Sequence, residues 1–300
     1  QSAVEVGRYT VELQASGLSN AFVEVDLQQE QSRTYDLTAQ AGSIGAIELT
    51  EFLPGTTTPI TFVYVEPGTF EMGFAGGQES NTGRNGTVTL TKPFYLGKYE
   101  VTQAQWENVM GNNPSYYDPD NSPNLVNNNN LAATTNTANY PVESVSWDDI
   151  QVFLSTLNGI SGLYALPTAA QWEWAARGGL VAQQAGEDFL YSGSDNLNQV
   201  AWWSAISSGV TREVGEKLPN QLGFYDMSGH VWEWTADARD SYSDIPKIDP
   251  FVAGSSSSDR VIRGGSMQND AFGVRVTRRS RHNPSAFFRT IGFRLLRSVD

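Results

Sequence analysis

The 300-residue chain has no cysteine. No disulfide can staple it, and no thiolate can serve as nucleophile, redox centre or metal ligand. Histidine is nearly as scarce: only His230 and His282 occur, in different segments, so no His-rich iron or zinc site can be assembled from them. No apolar run approaches the ~20 residues that a membrane-spanning helix needs. Basic residues are outnumbered, 19 against 33 acidic, and the net charge of −14 argues against nucleic acid or an anionic membrane as partner of the whole chain. An initiator Met is also lacking. The opening Gln1-Ser2-Ala3 suits a processed protein, secreted or displayed on a cell surface, with a lipid anchor ahead of Gln1 as its one route to a membrane.

What is present is unevenly distributed. From Asp259 to Asp300, nine Arg face three acidic residues, a local net charge of +6. Any acidic-ligand site belongs at this end, although regularly spaced Arg residues are first expected to pair with internal carboxylates and backbone carbonyls. All eight Trp lie between Trp106 and Trp234, which marks the core of one large domain. Residues 1–58 have no Trp and carry short alternating runs such as Tyr9-Thr10-Val11-Glu12-Leu13 and Ala21-Phe22-Val23-Glu24-Val25. They read as a small β-strand module. Leu53-Pro54-Gly55-Thr56-Thr57-Thr58-Pro59 reads as the linker to a second domain over 59–300.

Three helix starts are marked by their caps: Thr102-x-x-Gln105, Ser146-x-x-Asp149 and Thr168-x-x-Gln171, the first and third being full capping boxes. After Ser146, the spacing of Ile150, Phe153, Leu154 and Leu157 predicts an amphipathic helix that ends at Asn158-Gly159. The remainder is loop and short strand, with Asn127 to Asn130 as an exposed low-complexity loop. The fold class is therefore α+β, loop-rich, preceded by a small all-β module. Asp118-Pro119-Asp120-Asn121-Ser122-Pro123 is no EF-hand, since Pro123 stands where such a loop needs Gly and no Glu closes it.

Several motifs then follow in a fixed order: Phe70-Glu71-Met72-Gly73; Tyr99-Glu100-Val101-Thr102; Pro141-Val142-Glu143-Ser144-Val145-Ser146-Trp147; Leu166-Pro167-Thr168 through Trp172-Glu173-Trp174-Ala175-Ala176-Arg177-Gly178-Gly179; Gly223-Phe224-Tyr225-Asp226-Met227-Ser228-Gly229-His230-Val231-Trp232-Glu233-Trp234; Arg263-Gly264-Gly265-Ser266; and Gly292-Phe293-Arg294. In this order, from about residue 62 to 297, the chain resembles the formylglycine-generating-enzyme family. The resemblance implies that family's variant of the C-type lectin fold. The family's catalysis needs a cysteine pair just after the Gly-Gly-Ser segment. Asn269 and Val274 stand there, so the enzymatic alternative is disfavoured and the chain is expected to be a non-enzyme.

A second branch with this fold is the closer resemblance: the variable proteins of diversity-generating retroelements, of the treponemal variable protein type. Their C-terminal segment is rewritten by adenine-directed mutagenesis and forms a ligand-binding face. In residues 263–294 a skeleton of Arg263, Gly264, Gly265, Ala271, Arg275, Arg279, Pro284 and Ile291-Gly292-Phe293-Arg294 carries irregular passengers. The expected face comprises Met267, Gln268, Asn269, Asp270, Phe272, Gly273, Ser280, Arg281, His282, Ser285, Ala286, Phe287, Phe288, Arg289 and Thr290. Ser, Ala, Phe, Arg, Thr, Gly and His are each reached from an Asn codon through its first two bases, whereas Met267 and Gln268 need a different template. The passengers follow neither strand nor helix spacing, which points to exposed positions tolerant of change. Phe287 and Phe288 beside Arg289 supply the residue types that dominate interface energetics. The other reading is an ordinary loop with both Phe buried. The resemblance implies an external, variant-specific protein or carbohydrate partner, no nucleic acid, and a bacterial surface or secreted location.

No cofactor is required by this reading, and one metal is a candidate. In this fold the segment from Asp226 to Glu233 often holds calcium, through the side chains of Asp226 and Glu233 and the carbonyls of Gly229 and Val231; hard oxygen ligands suit that ion. The alternative is that Glu233 only satisfies loop amides. The absence of cysteine gives the first prediction. Supplied with copper and a sulfatase-type peptide, the protein should form no formylglycine, and turnover in that assay would contradict the non-enzyme reading.

Overall fold

The computed structural model describes residues 47–73, 86–122, 132, 134–160, 162–241 and 245–299, together with the backbone of three strands ahead of them. In chain order the strands are β1 (Gly7–Leu13), β2 (Ala21–Leu27), β3 (Thr34–Asp36), β4 (Glu48–Phe52), β5 (Pro59–Val65), β6 (Gly68–Glu71), β7 (Thr87–Leu90) and β8 (Phe94–Gly97). Helices α1 (Gln103–Met110) and α2 (Trp147–Asn158) follow, then β9 (Tyr164–Ala165), α3 (Ala169–Ala176), α4 (Gly179–Ala185) and the single turn α5 (Leu197–Val200). The chain closes with β10 (Trp232–Ala238), β11 (Lys247–Ile248), β12 (Arg260–Arg263), β13 (Arg279–His282), β14 (Ile291–Gly292) and β15 (Leu296–Ser298).

Strands β1 and β2 pair antiparallel with each other. A six-stranded sheet in the order β3-β4-β5-β8-β15-β9 carries the large core, and a four-stranded sheet, β13-β12-β10-β14, carries the C-terminal segment. A small sheet, β11-β7-β6, completes the architecture. The segment read as a linker is instead the turn of the β4–β5 hairpin: Leu53 is buried, its N–H donates to the Thr58 carbonyl, and Thr56 N–H returns to the Leu53 carbonyl. Two prolines and a left-handed Gly55 (φ 77°) end a ladder locally without ending a domain. The six-stranded sheet therefore runs unbroken across the expected boundary at residue 58, as far as β3. The Asn127 to Asn130 loop lies outside the described residues.

All three caps form as reciprocal boxes, including Ser146–Asp149, where a carboxylate reaches back as an amide does at the other two. The apolar stripe of α2 is buried as its spacing requires: Ile150, Phe153, Leu154 and Leu157 all face the core. Trp106 of α1 stacks on Phe153 at 5.1 Å, and Phe293 meets both rings edge-on at 6.0 and 5.4 Å. The C-terminal Gly292-Phe293-Arg294 run is thus part of the central core. Gly292 is obligatory there, because a Cβ would collide with the Val142 carbonyl.

Phe293 is fully buried in an aromatic trio, so Phe293→Ala removes contacts from both helices and the C-terminal sheet. We expect a loss of about 3–5 kcal/mol in chemical denaturation. A loss below about 1 kcal/mol would show that the trio is not the core it is drawn to be.

Candidate functional site

The most exposed apolar surface of the C-terminal segment sits on a loop whose backbone is tightly held. Between β13 and β14 the chain is pinned by its own peptide groups. Asp148 N–H donates to the Pro284 carbonyl (3.1 Å), Ala286 N–H to that of Asn283 (3.0 Å), and Ser144 and Ile291 N–H both to that of Phe288 (3.1 and 3.0 Å). Trp232 N–H takes the Thr290 carbonyl at 2.8 Å. Among the described residues the side-chain anchor is Asn283, whose Oδ1 accepts from Ser285 N–H and Oγ. The hydrogen bonds that fix the loop's path are otherwise made by its main chain. Phe287 and Phe288 are 65% and 42% exposed, Ser285 and Arg289 are exposed, and Ala286 and Thr290 are half-buried.

These side chains assemble into one aromatic and cationic group. The His282 ring packs on Phe288 at 4.5 Å, and the Arg289 guanidinium lies 5.1 Å from the Tyr116 ring. Tyr116 meets Tyr117 edge-on at 5.2 Å, and Gln268 Nε2 donates to Tyr117 Oη. Cation–π contact of this sort holds a long side chain in place while leaving one guanidinium face to solvent. Phe272 belongs to a second group, with the Arg275 and Arg278 guanidiniums 4.8 and 4.9 Å from its ring.

Four of the expected face residues are placed differently. Met267 is fully buried against Tyr117, Tyr140 and Val210, because its backbone is drawn inward by its N–H bond to the His230 carbonyl. Gly273 is buried where its carbonyl and Val274 pack on the left-handed Gly265. Asn269 is half-buried and acts as a loop cap, its Oδ1 accepting from Ser266 N–H and Oγ. Ser280, with Arg281 and His282, lies in β13 opposite β12 and not in a loop, so it is half-buried by sheet pairing. Arg281 remains exposed but is paired with Asp259 at 2.9 Å. Asp270 is exposed and accepts from Gly273 N–H.

Tyr116, Tyr117 and Glu143 were not foreseen as site residues. Only Glu143 carried any signal, as a charged residue inside an otherwise apolar motif. Its carboxylate is buried below the face, where Oε1 accepts from Tyr117 N–H (2.8 Å) and Oε2 from Ser144 Oγ (2.8 Å). Burial pushes this carboxyl up from 4.5 to about 7, against the opposing pull of those hydrogen bonds and of Arg289. Ser144 sits in the left-handed region (φ 61°), which aims its N–H at the loop carbonyl of Phe288.

Two arginines of the skeleton, Arg263 and Arg294, are structural. Arg263 is fully buried between Glu173 and the carbonyls of Val276, Thr277 and Arg278. Arg294 takes both oxygens of Glu233 at 2.7 Å, and Trp172 Nε1 donates to the same carboxylate at 2.7 Å. Glu233, expected with Asp226 and the carbonyls of Gly229 and Val231 to hold calcium or else to satisfy loop amides, is thus charge-paired with a guanidinium and hydrogen-bonded by an indole. Asp226 lies instead with Glu100 and His230 in a buried cluster. Burial pushes the Glu100 carboxyl up to about 7, whereas Glu100 draws the His230 imidazole up to about 9 against its burial.

Residues 51–299 match the family described as sulfatase-modifying factor enzyme 1-like domain. The chain is 34% identical over 212 residues to Chaperone protein LppX of Paenibacillus barcinonensis, covering 60% of this chain and 72% of that protein. It is 32% identical over 181 residues to the formylglycine-generating enzyme of Streptomyces coelicolor, covering 55% of each, so it spans about half of that enzyme. Among solved structures, Treponema denticola variable protein 1 aligns with a TM-score of 0.71 at 26% identity, over 84% of this chain and 99% of that one.

Glu143 yields a prediction about pH. Its folded pKa of about 7 exceeds the ordinary 4.5, so folding favours the proton. The resulting stability is fully present below about pH 4.5 and lost as pH rises through about 7. Glu143→Gln keeps the acceptor for Tyr117 but cannot ionise, so it should gain on the wild type across this window, by up to about 3 kcal/mol. Parallel stability–pH curves for the two proteins would show that folding does not raise the Glu143 carboxyl.

Proposed function

Since the chain belongs to the sulfatase-modifying factor enzyme 1-like domain family, we propose that it uses the family's fold as a scaffold for binding, without catalysis. The ligand is an external protein or carbohydrate, and its site is the face formed by His282, Ser285, Phe287, Phe288 and Arg289 with Gln268 and Tyr116, above the buried Tyr117. The observation that carries this reading is the way residues 283–290 are fixed. Backbone groups do the anchoring, so five successive side chains from Ser285 to Arg289 can change without disturbing the loop's path. A surface built in this way separates the scaffold from specificity. Truncating an exposed side chain costs within about 0.5 kcal/mol of fold stability, whereas exposed aromatics and Arg carry most of the energy of an interface.

The similarity to a treponemal variable protein supports diversification of this segment by a retroelement. The similarity to formylglycine-generating enzymes supports catalysis less well, because the chain has no thiol. Of the two positions where the family's cysteines belong, Asn269 caps a loop and Val274 is buried with Tyr191, Leu197 and Val200. The same reading places the protein outside the cell or on its surface; among the described residues no helix is long and apolar enough to cross a membrane. Nucleic acid is a poor partner for a chain of net charge −14.

Replacing Phe287, Phe288 and Arg289 together by Ala should leave the melting temperature nearly unchanged and abolish binding to a ligand selected with the wild-type protein from a displayed peptide or glycan library. Unfolding of the triple variant, or unaltered binding by it, would remove the face from consideration. Sequencing the 3′ end of the gene across a population bears on the diversification itself: variation confined to passenger codons is expected, and a uniform segment argues against it.

A further inference from the structure

Three ionisable side chains from distant parts of the chain meet out of solvent just before β10. Glu100, Asp226 and His230 are 1%, 2% and 0% exposed, and one potential ligand atom from each lies within 4.8 Å of the others. Glu100 follows β8, Asp226 lies in a turn after α5, and His230 stands two residues ahead of β10. His230 Nδ1 is 3.1 and 3.3 Å from the two Glu100 oxygens. Asp226 Oδ2 accepts from Gly215 N–H at 2.7 Å, while Oδ1 is buried with no hydrogen-bond partner among the described residues. An unmatched buried carboxylate oxygen is costly, by about 1–3 kcal/mol or more.

Charge sharpens the point. Arg294, the nearest buried cation, is committed to both oxygens of Glu233. Lys217, which feels Asp226 from the surface, stacks on the Trp202 ring at 4.0 Å and donates to the Asn198 carbonyl. With both ionised, two buried carboxylates face a single imidazole, and a protonated His230 balances only one of them. A divalent cation bound to neutral His230 balances both. Asp226 and His230 also hold left-handed backbone at φ 59° and 62°, which non-glycine residues adopt at a cost.

We infer that Glu100, Asp226 and His230 bind one divalent cation of the borderline, zinc-like class. One imidazole nitrogen and two carboxylate oxygens suit such an ion, whereas calcium prefers six to eight oxygens. Bonds of about 2.0–2.2 Å require the Asp226 carboxylate to close in on the His230–Glu100 pair. The imidazole can be fixed for this role, since its Nε2 lies 3.2 Å from the Arg212 carbonyl oxygen. Donating Nε2–H there leaves the Nδ1 lone pair for the metal, the second hydrogen bond by which metal-binding histidines are usually oriented. In the competing tautomer Nε2 accepts from Arg212 N–H at 3.1 Å and Nδ1–H donates to Glu100, which needs no metal. The site shares Asp226 with the expected calcium set but uses neither Glu233 nor the carbonyls of Gly229 and Val231. Its effect is structural. The His230 carbonyl accepts from Met267 N–H at 2.8 Å, so fastening His230 stiffens the start of the C-terminal segment.

The test uses the full chain, stripped with chelator and titrated with zinc chloride, with calcium chloride in parallel. Bound metal is counted by mass spectrometry after gel filtration, and thermal unfolding is followed at each point. We expect one zinc per chain and a rise in melting temperature that chelator reverses, with no response to calcium. At a hundredfold excess over the dissociation constant, the folded-to-unfolded ratio should rise about a hundredfold. Asp226→Asn, which keeps shape but loses charge, should abolish both effects. No retained zinc, or equal retention by the Asn variant, overturns the proposal. Should that variant fail to fold, cobalt(II) titration of the wild type decides: a visible d–d spectrum saturating at one equivalent supports the site, and its absence overturns it. Neither result depends on whether the exposed face binds a ligand.

Discussion

The contact on which the architecture turns is the buried pair between Arg294 and Glu233. Its guanidinium reaches both carboxylate oxygens, the carbonyls of Gly97 and Lys98 at the end of β8, and the carbonyl of Tyr225. The carboxylate also receives the Trp172 indole from α3. One ion pair therefore joins the four-stranded sheet, the six-stranded sheet, a helix and the turn that carries Asp226. A domain with little regular structure needs such fixed points, because loops bring their own unsatisfied peptide groups. Both charges are fully desolvated, so losing either partner strands the other, at a cost of about 3–5 kcal/mol.

Arg263 with Glu173 and Arg297 with Glu51 repeat this device on a smaller scale. Together they explain the basic C-terminus of an acidic chain. Several of its arginines are internal struts, and the cationic character left for the surface is modest: Arg289 on Tyr116, the half-buried Arg275 and Arg278 over Phe272, and Arg281 already paired with Asp259. The exposed face is consequently more aromatic than charged. Its firmness comes from below, where Ser144 and Asp148 hold the loop by its carbonyls and Glu143 holds Tyr117.

Much of this was legible in order and spacing. The capping boxes, the apolar stripe of α2, the C-terminal motif and the absent thiols are local properties, and each local property has one structural meaning. The errors arose where meaning depends on neighbours. Leu53 to Pro59 has the composition of a linker, but Leu53 is buried and its hairpin continues the main sheet. Met267 looked like a rewritten surface position, yet it fills a pocket among Tyr117, Tyr140 and Val210. Glu233 stands near Asp226, Gly229 and Val231 in sequence, and nothing local announces that it pairs with Arg294, 61 residues away.

The sequence by itself determined the fold family, the helix starts and the impossibility of thiol chemistry, since these follow from residue type and short-range order. Tertiary structure alone decided which carboxylate meets which cation, because pairing depends on through-space distance between segments far apart in the chain. It placed His230 with Glu100, 130 residues earlier, and set Tyr116 and Tyr117 beside Arg289. It also decided that adjacent Phe287 and Phe288 both stay exposed, since the peptide groups of Ser144, Asp148 and Ile291 take up the loop's carbonyls without using those side chains.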